Sequence, residues 1–394
     1  MLKARTGYSK NMDLHCQGID IAYMSTFGLS DPKVGLVYLS SNEEIEPVIK
    51  GIRETTKIPI VGTTSSGGII VPDGIVDGEY FGGMITLNDE NLTVGVACHD
   101  KGKDPRKVGR RVAIEAVEDA KTTRAPSYFY MVATPGQEEE YLLGIQDVIG
   151  RVPMFGGSAA DEELTNDWKI FCNNKVLDDG VAVVFFYTDN EIDTAFTGAY
   201  NETDNVGIIT KVENERDLVE INNKGALKQY SSWIGIDPKE LTGKNLFKIS
   251  VTKPLGIKDP TGNITLIRYP MIGNDQGTKT VMDDTIELGN KVVEKTAIIQ
   301  LEATQDDLID SVQTTMKLLN KKLYNESACY ILMHCAGRKN AIGDRLEEVY
   351  NKVLKETKGA PFIMAFTYGQ YGYEEHSSNM CGGLMLSFTA FGKE

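Results

Sequence analysis

Short apolar runs alternate along the chain with stretches of helical periodicity, and the same order of elements recurs three times. Residues 34–39 (VGLVYL) are apolar throughout, 43–55 carry helical spacing, and Pro59 opens a second run that ends in the small-residue turn 62–68; another apolar run follows at 81–87. The order returns with 128–133 (YFYMVA), a helical stretch at 138–149, a run led by Pro153 that ends in the turn 156–161, and 181–187 (VAVVFFY). It returns again with 329–334 (CYILMH), a helix at 344–357, a run led by Pro361 and a last run at 383–391. Runs this short and this apolar read as strands buried on both faces rather than as amphipathic helices, so each unit is strand, helix, Pro-led strand, turn, strand. Further helices at 104–121 and 305–323 precede the second and third units, each after a strand, at 92–98 and 296–301. The three Pro-led segments are therefore expected to be structurally equivalent.

This pattern predicts an α/β protein in the broad sense, with mixed α+β sheets covered by helices and two related lobes built from the repeated units. Residues 201–290 are the least regular part, with turn signals at 222–225, 259–263 and 273–274; 246–251 and 264–268 read as short hairpin strands. The lobe boundary falls near Asn223, giving an N-terminal segment 1–31, a first domain 32–222 and a second domain 223–394.

Composition narrows the function classes. With 41% hydrophobic and 25% charged residues the chain is of globular type, and its net charge of -15 repels phosphate backbones and anionic headgroups. Nucleic acid and membrane insertion are not expected; no run of 18 apolar residues occurs, and no apolar stretch with a small-residue cleavage site follows the basic start at 1–8. The expected location is cytoplasmic. The six cysteines form no Cys-x-x-Cys and fit reduced thiols better than disulfides or a zinc site; neighbours such as His334 and Cys335 on a strand point to opposite faces and cannot ligate one ion. No metal or other cofactor is expected.

The glycine-rich turns are the first candidate chemistry. A strand running into Gly, Ser and Thr leaves backbone N–H groups and hydroxyls open to an anion, which singles out Thr63, Thr64 and Ser65 in the first turn and Gly157, Ser158 and Asp161 in the second. Neither turn ends in Gly-Lys-Ser/Thr, so no P-loop is present. Positive charge for a carboxylate is available from Arg268 and Arg338, both near strand ends. Hydrolysis is the rival chemistry: Ser65, Ser66, Ser158 or Cys335 as nucleophile, with His334, His376 or His99 as base. No Gly-x-Ser-x-Gly elbow supports it, and adjacent His334 and Cys335 cannot pair on a straight strand. A pure protein-interaction scaffold is the third reading.

Residues 153–184 (PMFGGSAADEELTNDWKIFCNNKVLDDGVAVV) resemble the FIST N domain, and Ile60 to Gly67 resemble an earlier segment of it, with Thr63 in place of a frequent cysteine. The second half resembles FIST C through Arg268-Tyr269-Pro270, Ala336-Gly337-Arg338 after Cys335, and Thr367-Tyr368-Gly369 after Pro361-Phe362; the Phe-His-Asn expected before the last strand is only loosely echoed by His376-Ser377-Ser378-Asn379. The resemblance implies an intracellular signal-transduction sensor that binds a small ligand, such as an amino acid, and passes its signal to a separate protein partner. Cys335 and Tyr368 join the candidate ligand contacts on those motifs.

Overall fold

The computed structural model describes residues 1–394 apart from 244, 260, 275–283 and 376. Among the described residues the chain builds three six-stranded sheets and an eight-stranded one. The first repeat runs β1 (Lys3–Ser9), α1 (Leu14–Thr26), β2 (Pro32–Ser40), α2 (Ile45–Thr55), β3 (Ile60–Ser65), the hairpin β4 (Ile69–Val71) and β5 (Gly74–Val76), then β6 (Gly82–Asn88). The second repeats this order as β7 (Thr93–Asp100), α3 (Pro105–Ala120), β8 (Tyr128–Ala133), α4 (Glu138–Ile149), β9 (Met154–Ser158), β10 (Ile170–Cys172), β11 (Lys175–Leu177) and β12 (Gly180–Tyr187).

The third repeat opens with β13 (Ile192–Thr197) and is then interrupted. The insertion comprises β14 (Asn201–Glu213), β15 (Asp217–Ile221), β16 (Lys224–Gly225), α5 (Ala226–Ile234), α6 (Asn245–Ser250), β17 (Leu255–Lys258), β18 (Thr265–Arg268), β19 (Pro270–Asn274), β20 (Thr285–Leu288) and β21 (Ala297–Glu302), which make the eight-stranded sheet. The repeat resumes with α7 (Gln305–Lys322), β22 (Ser327–Cys335), α8 (Ala336–Ile342), α9 (Leu346–Thr357), β23 (Phe362–Thr367), the hairpin β24 (Gly369–Tyr373) and β25 (Asn379–Gly383), and β26 (Leu386–Gly392).

In each repeat the strand before the second helix runs parallel to the Pro-led strand, as β2 with β3, β8 with β9 and β22 with β23, and the remaining strands are antiparallel. The hairpins are exchanged in a ring. β10 and β11 of repeat two extend the first sheet beside β3; β24 and β25 of repeat three extend the second beside β9; β4 and β5 of repeat one extend the third beside β23. Three equivalent backbone bonds close the ring: Ser66 N–H to Phe366 O (3.0 Å), Ala160 N–H to Thr64 O (3.2 Å) and Tyr368 N–H to Ser158 O (3.2 Å). Each donor follows its repeat's proline, Pro59, Pro153 or Pro361, at the same spacing, so the three Pro-led segments are equivalent as expected.

The strands are apolar on both faces because both are covered. Inner faces of all three sheets meet in one core that includes Leu36, Tyr38, Tyr130, Phe155, Ile331 and Ile363, while the outer faces pack on the helix pairs α1 with α2, α3 with α4, and α7 with α9. The mixed α+β class, the helix-covered sheets and the repeated unit are thus all present. The first half holds two repeats, and the second half holds most of the third with the insertion.

Three local expectations are corrected. Residues 246–251 form not a strand but α6 and the residue after it: Leu246 and Ser250 are buried at helical spacing, and Ser250 Oγ donates to Pro270 O (2.7 Å). The strand expected at 296–301 exists as β21, but it belongs to the inserted sheet, and the strand equivalent to β7 is β13. The segment 1–31 contains β1 and α1 and is the start of the first repeat. His376 lies outside the described residues.

Candidate functional site

The carboxyl ends of β8 and β22 point to the same side of the molecule, and the insertion folds over them. Between these parts lies a cavity of about 380 Å³. Repeat two contributes Gly136 from the β8–α4 connection, Glu138 from the start of α4, and Leu164, Asn166 and Trp168 from the loop after β9. Repeat three contributes Cys335, Gly337 and Tyr368, and the insertion contributes Arg216, Phe247, Tyr269, Met271, Glu287 and Asn290. A second cavity of about 440 Å³ shares Leu164, Phe247, Tyr269, Gly337 and Tyr368 and adds Ser66, Glu162, Glu163 and Lys248. Strand carboxyl ends are where α/β proteins place ligands, because strand and helix chains diverge there and leave a crevice.

Four aromatic side chains, Trp168, Phe247, Tyr269 and Tyr368, line the cavity. Trp168 and Tyr368 stand perpendicular, at 89° with centroids 5.9 Å apart; Phe247 and Tyr269 lie 4.8 Å apart at 36°. Both tyrosine hydroxyls are turned to the protein: Tyr269 donates to Phe247 O (2.8 Å) and Tyr368 to Asp161 O (2.8 Å). Asp161 organises the loop that carries Trp168. Its carboxylate accepts the N–H groups of Leu164 (2.6 Å) and Asp167 (3.0 Å), in a stretch where Leu164 and Asn166 both hold left-handed backbone.

The charged end of the cavity is made by Glu138, Arg216 and Glu287. Glu138 is buried; it accepts Gly136 N–H (2.7 Å), Ser158 Oγ (3.0 Å) and Arg216 Nη2 (3.2 Å). Burial, followed by the charge of Glu139, raises its pKa, and Arg216 opposes that shift. Glu287 is raised by burial and by Asp217. Arg216 also binds Glu139 (2.9 Å) and the carbonyls of Gly136 and Gly289, but its Nε–H takes no acceptor among the described residues.

The residues singled out in the sequence fall into three groups. Cys335 and Tyr368 line the cavity. Thr63, Thr64, Ser65, Gly157 and Ser158 lie at the ring where the sheets exchange hairpins, and their polar groups are engaged there. Thr63 Oγ1 donates to Lys169 O (3.1 Å), Thr64 Oγ1 accepts Lys169 N–H (3.1 Å), and Ser65 Oγ donates to Gly68 O (2.6 Å) while accepting Phe366 N–H (2.9 Å). The turns expected to leave N–H groups open therefore spend them on the neighbouring repeat. Gly157 leaves no room for a side chain beside Thr367 Oγ1 and Gly369 O. Asp161 acts on its own loop.

Arg268 and Arg338 form the third group. Both are buried, neither pairs with a carboxylate among the described residues, and the Nε of each has no hydrogen-bond acceptor. Burial pushes Arg268 down to about 10; Arg338 is also lowered by burial, with its Nη2 donating to Leu308 O (2.9 Å) and to Ser311 Oγ. Their chain neighbours Tyr269 and Gly337 line the cavity.

For nucleophilic chemistry the geometry is unfavourable. Burial raises the Cys335 thiol, even though the N–H groups of Arg338, Gly337 and Leu384 face it. His334 Nδ1 meets Cys335 O (3.0 Å), its Nε2 has no partner among the described residues, and burial holds the ring well below its usual pKa. Ser158 is paired with Glu138 and Tyr371, and His99 with Glu115. Among the described residues no cluster of three or more His, Cys, Asp or Glu could hold a metal ion.

The residues that the sequence left unmarked are Arg216, Glu138, Trp168, Phe247 and Glu287. Trp168 carried a signal, as one of two tryptophans, beyond a glycine-rich strand. Arg216 and Glu287 did not: each is one charge among many in the irregular segment, and only the folding of the insertion onto repeat two makes them neighbours of Glu138.

No curated protein matches the sequence. Among solved structures, the chain is similar at 7% identity to the cyanuric acid hydrolase from A. caulinodans, with all of both chains covered and a TM-score of 0.37. A second cyanuric acid hydrolase structure, described as an evolutionary innovation by structural concatenation, gives 7% identity, 99% and 100% coverage and a TM-score of 0.35. PurLQS from Thermotoga maritima gives 8% identity over all of this chain and 72% of its own, with a TM-score of 0.22. Family models match along most of the sequence, the FIST N domain at residues 33–224 and the FIST C domain at 226–373. The chain belongs to the FIST family, whose domains are signal-transduction sensors.

Proposed function

We propose that the protein is a cytoplasmic receptor for an amino acid or another small carboxylate, bound in the cavity between repeats two and three and the insertion, with the signal read by a separate protein partner. The observation that carries this reading is the charge around the cavity. In a chain of net charge -15, two arginines are buried beside cavity-lining residues with no carboxylate on either among the described residues, and a third, Arg216, lines the cavity next to Glu138 and Glu139. A buried guanidinium without an anion is unfavourable by several kcal/mol, and a ligand carboxylate relieves part of that. Glu138 and Glu287 give the same end negative charge for the cationic group of a zwitterionic ligand. The family supports a sensory role. No helix among the described residues is long and apolar enough to cross a membrane.

A thermal-shift screen of amino acids and small carboxylates tests the reading. A ligand that binds only the native state at a hundredfold excess over Kd adds about 2.7 kcal/mol, which moves the midpoint by a few degrees. Arg216→Lys and Arg268→Gln are expected to weaken the ligand-dependent shift. A screen in which no carboxylate moves the midpoint would remove the receptor reading and leave a protein-interaction scaffold.

A further inference from the structure

We infer that the ligand carries a cationic, N-methylated ammonium group and that the four aromatic rings of the cavity form the box that receives it, which makes the ligand a betaine-type zwitterion. This rests on the reading above and specifies the ligand within it. A cation is attracted to the negative face of an aromatic ring, and several rings at angles to one another surround it better than one. Trp168 and Tyr368, perpendicular at 89°, form two adjoining walls, and the Phe247 and Tyr269 pair lines the same space. Because both tyrosine hydroxyls are tied to backbone carbonyls, these side chains offer the cavity ring surface rather than donors.

Charge points the same way. Two carboxylates, Glu138 and Glu287, line the cavity against one guanidinium, Arg216, which already lies against Glu138 and Glu139. Methylation is favoured by the lack of open acceptors on the more buried acid. Glu138 Oε1 accepts from Ser158 and Oε2 from Gly136 N–H and Arg216, so a primary ammonium, with three N–H groups to satisfy, finds little there. A quaternary ammonium has no N–H and loses nothing by facing rings. Its carboxylate then faces Arg216, which lines the cavity, and Glu287 supplies the balancing charge.

Isothermal titration of the full chain with three probes decides the matter: glycine betaine, glycine, and 3,3-dimethylbutanoate, which has the shape and carboxylate of betaine without the positive charge. Glycine betaine is expected to bind at least tenfold more tightly than either of the others. Trp168→Leu should collapse the preference for betaine over the neutral analogue toward onefold, whereas Trp168→Phe, which keeps an aromatic face, should retain most of it. Equal affinity for betaine and 3,3-dimethylbutanoate overturns the aromatic box, as does tighter binding of glycine than of betaine. Either result leaves the carboxylate receptor standing, whereas silence from every carboxylate in the wider screen brings down both.

Discussion

Glu43 lies in the connection between β2 and α2, buried against α1, with Gln17 Nε2 donating to one carboxylate oxygen (3.1 Å) and the other oxygen without a partner among the described residues. Burial pushes its pKa up to about 7, against smaller opposing contributions from Gln17 and the Ser40 backbone. In the unfolded chain the group titrates near its ordinary value of about 4.3. Between those two values the native state holds the proton that the unfolded state has lost, so stability falls as pH rises through this window and levels off above pH 7. The full effect is on the order of 3 kcal/mol. Glu43→Gln is therefore expected to unfold at higher urea than the parent, by a margin that grows from pH 5 to pH 8; a margin constant with pH would show that Glu43 ionises normally. At the same scale, Cys335 is expected to stay unlabelled by iodoacetamide at neutral pH while the partly exposed Cys16 reacts, read by mass spectrometry of the native protein. Rapid modification of Cys335 would revive the nucleophile reading. The burial of Cys335 was legible from its apolar strand. That of Arg338 was not, because its guanidinium is held by a carbonyl and a hydroxyl of α7, and nothing local to residues 336–342 announces such partners.

At the scale of elements, the helix pairs of the first two repeats cross through glycines. A Cβ on Gly18 would sit 2.0 Å from Val48 O, and one on Gly51 2.1 Å from His15 O; in the second repeat the distances are 2.3 Å from Gly109 to Tyr141 O and 2.1 Å from Gly144 to Arg106 O. In an open helix Gly→Ala stabilises by about 1 kcal/mol. Here the methyl group must push two backbones apart, a loss of about 1–3 kcal/mol or more, so Gly51→Ala and Gly144→Ala are expected to lower the melting midpoint despite the better helix former. An unchanged or higher midpoint would mean that the crossings are looser than they stand. The third pair, α7 with α9, carries no glycine; Gln313 and Asn320 reach Glu356 instead. Those strands and helices of the repeats that were read from the sequence lie within a few residues of their observed bounds because each keeps one periodicity along its length, whereas β1, β13 and α8 went unread. α1 was missed for a physical reason: Gln17, Gly18 and Ser25 lie on its buried face, which dilutes the apolar stripe, and only the Asp13 cap marked its start. The exchanged hairpins escaped too. Runs as short as 69–71 and 170–172 do not say which sheet they join, since that is decided by partners far along the chain, Met364 opposite Ile70 and Thr63 opposite Ile170.

For the molecule as a whole, each of the three six-stranded sheets is completed by a neighbouring repeat, so no repeat has a finished core of its own. A fragment of residues 1–190 contains β4 and β5 without β23, and β9 without β24. Such a fragment is expected to show no cooperative thermal transition by circular dichroism, and mixing it with 191–394 should restore one; a fragment that melts cooperatively by itself would show that the exchange contributes little. The sequence showed that there were three repeats because apolar runs and prolines recur in register. It did not show that the third is split, since the true boundary between β13 and α7 is hidden by the strand β21 that happens to precede α7.

The ring of hairpins also sets an order of events at synthesis. β4 emerges early, yet its partner is β23, with Ile70 opposite Met364. At about 5–20 residues per second the hairpin waits tens of seconds for the strand it must join. During that wait the first repeat displays unpaired strand edges of the kind that invite pairing with other chains. Closure of such long loops is slow, and the ring of hairpins closes only once the last repeat is available.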